Sequence, residues 1–215
     1  MGLILSVVSQ KGGVGKSTIA RLTAREFAAH QWSVKIADLD ISQGTSFNWR
    51  SRRLQGELEP DVSVEQFGNV RKALVEAERY DVLILDGAPH ATQATLEAAA
   101  KSDLVIIPTG LSLDDMQPSV LLAHELAKKV ERRKIVFVLS RVGDSAPELA
   151  ESRDYLTHAG YEVLEGEIPE KVAYRRAMDQ GRTVTETRFS SLNEKADVVA
   201  QAIMDKIAAL TSEED

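Results

Sequence analysis

The sequence predicts an α/β protein, a doubly wound and mostly parallel sheet flanked by helices. Three observations carry that prediction. Apolar runs of strand length recur at residues 3–8, 34–37, 82–85, 104–107 and 135–139, with weaker ones at 62–67 and 161–164. They are near-continuous rather than alternating, as in strands covered on both faces. Helical periodicity fills the intervals, at 19–30, 70–79, 93–100, 115–130, 147–158 and 191–210, and strand alternating with helix implies parallel crossovers. Finally, the residues suited to chemistry follow the runs directly, where such sheets bind ligands beyond the carboxyl ends of their strands.

The chain has 215 residues, 43% hydrophobic and 27% charged, enough for one sizeable core and short for two. One domain over residues 1–211 with an acidic tail at 212–215 is expected. The absence of cysteine excludes disulfides, thiolate catalysis and Cys-ligated clusters. The first strand begins so early that neither a signal peptide nor an extra N-terminal domain is expected, and a cytoplasmic location follows. No apolar stretch approaches the roughly 20 residues of a membrane span, so no integral membrane association is expected.

The first run leads into Lys11-Gly12-Gly13-Val14-Gly15-Lys16-Ser17-Thr18, which reads as a phosphate-binding loop. Glycines let successive N–H groups converge on an anion, Lys16 reaches the terminal phosphates, and the Ser17 hydroxyl can hold Mg²⁺. The following helix turns its positive end toward the same phosphates. The second run ends at Asp38-Leu39-Asp40, and Trp49 and Arg50 belong to the next helix, with Trp49 packed. The run at 82–85 delivers Asp86, which would hold Mg²⁺ through a water; Gly87 and Pro89 then make a turn. Asp114 and Asp115 stand before a helix and read as N-caps. The run at 135–139 precedes Ser140-Arg141, and Ile168-Pro169 precedes another helix. In the last helix Val198, Val199, Ala202, Ile203, Ile207 and Leu210 recur at helical spacing. Its polar face mixes Asp197 and Asp205 with Lys195 and Lys206, which suits packing on the core better than anionic lipid. His30, His90, His124 and His158 show no metal-ligand spacing.

The arrangement K-G-G-x-G-K-[ST] resembles the deviant Walker A box of the ParA/MinD family of P-loop ATPases. The resemblance implies ATP and Mg²⁺ as cofactors, with Gly12, Gly13, Val14, Gly15, Lys16, Ser17 and Thr18 around the phosphates. It implies that Lys11 is the signature lysine, reaching the phosphates of the other subunit in an ATP-bound homodimer. Lys11, Lys16 and Asp40 are then the catalytic residues, with Asp40 orienting the attacking water. Ser17, Asp38 and Asp86 surround the metal, and Arg141 and Pro169 lie near the base. The second box is similar to D-x-D-P-Q-G but reads Asp40-Ile41-Ser42-Gln43-Gly44, without proline and with one residue more before Gln-Gly. That departure bears on turnover or coupling rather than on binding.

A net charge of −7 gives no compositional sign of nucleic-acid binding. Three local basic sets stand out: Arg50, Arg52 and Arg53; Lys128, Lys129, Arg132, Arg133 and Lys134; and Arg175, Arg176, Arg182 and Arg188. By themselves such sets are solvated helix faces. The resemblance points to the third, with Lys195, as a nonspecific DNA surface acting twice on a dimer. It also implies a ParB-like or centromere-binding partner that stimulates hydrolysis. The alternatives are a spatial regulator at a membrane and a slow-hydrolysing, nucleotide-dependent protein-binding switch.

Overall fold

The computed structural model describes residues 2–88 and 93–212. Pro89, His90 and residues 213–215 of the expected tail lie outside the described residues. Seven strands form one sheet in the order β3-β2-β4-β1-β5-β6-β7, every neighbouring pair parallel. They are β1 (Leu3–Val7), β2 (Val34–Asp38), β3 (Ser63–Gln66), β4 (Val82–Asp86), β5 (Leu104–Thr109), β6 (Ile135–Val142) and β7 (Glu162–Pro169). From β1 the chain winds outward through β2 and β3, returns to β4, then crosses to β5–β7. The phosphate loop therefore emerges from the central strand, where the winding reverses.

The central strands are predominantly apolar because both faces are covered. Alternate residues go to opposite layers: Val82 and Ile84 of β4 join one core cluster, Leu83 and Leu85 the other side. Leu104 and Ile106 of β5 likewise oppose Val105 and Ile107. Each such side chain contributes about 1.5–3 kcal/mol by leaving water.

The helices are α1 (Lys16–Ala29), α2 (Thr45–Gln55), α3 (Val70–Leu74), α4 (Gln93–Ala99), α5 (Leu113–Leu126), α6 (Ala146–His158), α7 (Val172–Asp179) and α8 (Ser190–Ser212). The helix expected at 70–79 breaks after Leu74 into a 3₁₀ turn over Val75–Glu78. The strand expected at 161–164 runs on to Pro169 despite Glu165 and Glu167. It is an edge strand, half exposed and with register shifts against β6, so its sequence need not stay apolar. As expected, α8 packs on the core, through Ala196, Val199, Ala200, Ile203, Ile207 and Leu210. Among the described residues no helix is long and apolar enough to cross a membrane.

Candidate active site

A cleft of about 480 Å³ opens at the carboxyl ends of the strands, lined by the phosphate loop, Asp40, Gln43, Thr45, Ser140, Arg141, Pro169 and α7. A larger cavity of about 1080 Å³ lies elsewhere, between Gly2, Trp32, Tyr80 and Ile207, away from every residue singled out for chemistry.

The phosphate loop turns through left-handed backbone at Gly13 (φ 81°) and Gly15 (φ 103°). A Cβ at Gly15 would meet Ser140 Oγ at 2.3 Å, so only glycine fits there. Gly15 is the N-cap of α1, with no side-chain cap on the first turn, and its amides stay available to an anion. Lys16 is buried, its Nζ donating to Ser9 Oγ at 3.1 Å and to the Lys11 carbonyl at 3.3 Å. Burial pulls its pKa down against the opposing charges of Asp86 and Asp40, and a bound phosphate would oppose that burial effect further. Thr18 Oγ1 faces Met178 Sδ at 3.5 Å. Val14 is buried and Gly12 exposed. Arg141, itself at φ 58°, donates to the Gly13 carbonyl and to Glu170 Oε1, tying the loop to the wall that carries Pro169.

The three acids divide their work. Asp86 is 2% exposed; its Oδ2 accepts from Ser46 Oγ at 2.7 Å, while Oδ1 is buried without a partner. Desolvation pushes its pKa up, with the Ser46 bond, the Arg21 charge and Ser17 acting against it. A buried carboxylate oxygen left open beside Ser17 fits a hydrated Mg²⁺. Asp38, expected near the metal shell, lies beside Asp86 across the strands and is engaged by backbone amides. Its Oδ2 accepts from the Ser46 and Phe47 amides at 2.9 and 3.1 Å and its Oδ1 from the Asp40 amide at 3.1 Å. It caps α2. Asp40 lies half-buried at the cleft, its Oδ1 accepting from Ser42 Oγ at 2.6 Å and the Gln43 amide at 3.1 Å. The extra loop residue is thus absorbed in a turn closed by the Gly44 amide on the Asp40 carbonyl at 2.7 Å.

Asp115 overturns its reading as a cap. Ser112 is the N-cap of α5, and Asp115 one turn on pairs with Lys11 instead. Arg53, expected on a solvated face, is fully buried and donates from both terminal nitrogens to Glu186. Trp49 is packed as expected, 0% exposed, between the Arg21 and Arg53 guanidiniums at 5.7 and 5.5 Å from its ring. Its indole N–H donates to the Arg182 carbonyl.

The basic set chosen for DNA divides into three places. Arg175 lines the nucleotide cleft. Lys195 lies in a groove with Arg153, Glu165 and Glu167. Arg176, Arg182 and Arg188 share a separate cavity of about 610 Å³ with Phe189, over whose ring Arg188 stacks. Arg21 and Ser46 escaped sequence reading, although Arg21 falls four residues after Ser17 and so on the same helix face.

Residues 5–184 match the family described as CobQ/CobB/MinD/ParA nucleotide binding domain. The chain is 27% identical over 195 residues to the maintenance of carboxysome distribution protein A of Gloeobacter kilaueensis, covering 89% of this chain and 88% of the relative. It is also 27% identical over 217 residues to the chromosome-partitioning ATPase Soj of Thermus thermophilus, covering 85% and 87%. The septum site-determining protein MinD of Pyrococcus horikoshii, solved with Mg-ADP, superposes with a TM-score of 0.77 at 18% identity, covering 97% of this chain and 98% of that one.

Proposed function

The chain belongs to the CobQ/CobB/MinD/ParA nucleotide-binding family, and from that premise we propose that it is a partition or positioning ATPase that dimerises with ATP. ATP and Mg²⁺ are its cofactors and ATP hydrolysis is its reaction. The observation that carries the dimer reading is the pair of lysines on one loop. Lys16 is buried among its own loop atoms, whereas the Lys11 side chain is 44% exposed, free of the phosphates that Lys16 serves and able to meet those of a second subunit.

Bound Mg²⁺ neutralises charge on the terminal phosphates. The chain's own residues do the rest. Loop amides and Lys16 hold the phosphates, Asp86 and Ser17 face the metal, and Asp40 orients the water in line. Arg141 and Glu170 brace the wall beside the base.

In this reading the ATP dimer binds DNA nonspecifically through the cavity of Arg176, Arg182 and Arg188, and a ParB-like partner stimulates hydrolysis and release. The grouping of three exposed guanidiniums supports that surface, and Arg175 and Lys195 drop out of it. The names of the two relatives, one for carboxysome distribution and one for chromosome partitioning, support cargo positioning. Binding to nonspecific DNA is measured with ATP, with ADP and without nucleotide across a salt series. ATP-dependent binding with a negative log–log salt slope supports the reading. Binding unchanged in Arg182→Ala/Arg188→Ala moves the surface elsewhere, and no binding in any state directs the cargo surface toward protein.

A further inference from the structure

Arg21 is 4% exposed, and an arginine so buried ordinarily has an acidic partner within reach. Among the described residues it has none in ion-pair contact. Its Nε donates to Ser46 Oγ at 3.1 Å and its Nη2 is buried without a partner. Ser46 Oγ in turn donates to Asp86 Oδ2 at 2.7 Å. One fully buried hydroxyl therefore stands between a guanidinium and the carboxylate that faces the metal.

The reason for this arrangement lies in the sheet register. Asp38 and Asp86 are cross-strand partners on β2 and β4, 1% and 2% exposed. Neighbouring parallel strands stand about 4.8 Å apart, so two buried carboxylates stand side by side in one dry site, where like charges repel. Lys16 opposes Asp86 from the phosphate loop, while Arg52 opposes Arg21.

We propose that Arg21 is a positioning residue of the magnesium site: through Ser46 it offsets the Asp38–Asp86 pair and holds Asp86 in place whenever Mg²⁺ is withdrawn. The inference rests on Asp86 as the metal carboxylate. When Mg²⁺ binds, the arginine becomes a surplus charge, so the same residue that preserves the empty site weakens the hold on the metal. Because Ser46 is on the first turn of α2, the balance also reaches the helix that follows the Asp40 loop.

The test is thermal unfolding in EDTA and in Mg²⁺ without nucleotide, for wild type, Arg21→Met and Arg21→Lys. Arg21→Met should lower Tm in EDTA by roughly 5 °C, and Mg²⁺ alone should restore at least half of that loss. Wild type and Arg21→Lys should shift little with Mg²⁺. An equal Mg²⁺ shift in wild type and Arg21→Met overturns the proposal, since a packing defect is blind to the metal. Should Arg21→Met not fold, Asp86→Asn/Arg21→Met decides. It should be as stable as Asp86→Asn alone, and an unfolded double variant overturns the idea. Mg²⁺-dependent ATP binding that survives Asp86→Asn takes the metal away from Asp86 and the proposal with it. Loss of that dependence with unchanged Mg²⁺ shifts removes the role of Arg21 alone.

Discussion

Lys11 and Asp115 stand 104 positions apart in the chain and meet in an ion pair of 2.7 Å. Ser112 Oγ steadies the same carboxylate at 2.9 Å. Burial would raise the Asp115 pKa, but the Lys11 and Ser112 bonds hold it below the usual carboxylate value. The lysine is thereby held within its own subunit, and reaching a neighbour's nucleotide requires breaking the pair.

Freeing the lysine should favour dimerisation. A partly exposed pair is worth about 0.5–1 kcal/mol, and a dimer breaks two, so Asp115→Ala should lower the protein concentration for ATP-dependent dimerisation by about 5–30-fold. Lys11→Ala should bind ATP and remain monomeric. Sedimentation velocity with ATP reads both, and a Lys11→Ala dimer of normal strength removes the cross-subunit role.

Asp40 has one oxygen engaged by Ser42 and Gln43, which leaves the other to orient water. Asp40→Ala should keep ATP binding, lower kcat by about 100-fold or more, and accumulate the ATP dimer. Single-turnover hydrolysis is the check; wild-type rates would assign the water to another group.

Two glycines should respond differently to alanine. At Gly15 the new Cβ meets both a φ of 103° and Ser140 Oγ at 2.3 Å, so Gly15→Ala should abolish ATP binding, and adding Ser140→Ala should not restore it. At Gly44 the φ is 55° and the nearest atom is the end of the Gln66 side chain. Gly44→Ala should cost only about 1 kcal/mol. Calorimetric titration with ATP and urea unfolding separate the two, and equal effects would contradict the assignment of strain.

Acid should undo the Arg53–Glu186 pair. Burial acts to raise the Glu186 pKa, but the Arg53 bonds and charge and the Thr183 amide outweigh it and leave it lowered. A depressed folded value means stabilisation that is complete above the ordinary carboxylate value and is lost as pH falls through the folded one. Glu186→Gln, which leaves Arg53 buried without its charge partner, should cost about 3–5 kcal/mol at neutral pH. The gap from wild type should narrow in urea titrations as pH falls below about 4.5. Parallel profiles would mean that the carboxylate charge adds nothing.

All the expected strands are present, the central ones legible because burial on both faces writes itself into composition, and the phosphate loop was legible because its parts are contiguous. The same logic explains what was missed. The α2 segment Thr45–Gln55 is mostly polar, and only Trp49 hinted at its packed side. Asp115, Ser46 and Arg21 acquire meaning through partners 25 to 104 positions away, which no local pattern records. Asp38 and Asp40 look equivalent in sequence, yet one is spent on backbone amides and the other faces the cleft. The third basic set looked continuous, and folding parted it among two clefts and a groove.

Trp49, held between two guanidiniums, gives the protein an optical gauge of its own. Indole emission responds to nearby charge, so any displacement of α2 relative to Arg21 or Arg53 changes its signal without a label. Trp32, 42% exposed, is reached by a collisional quencher that the enclosed indole escapes. The emission that survives the quencher therefore follows α2 alone, in real time, as nucleotide is added and consumed.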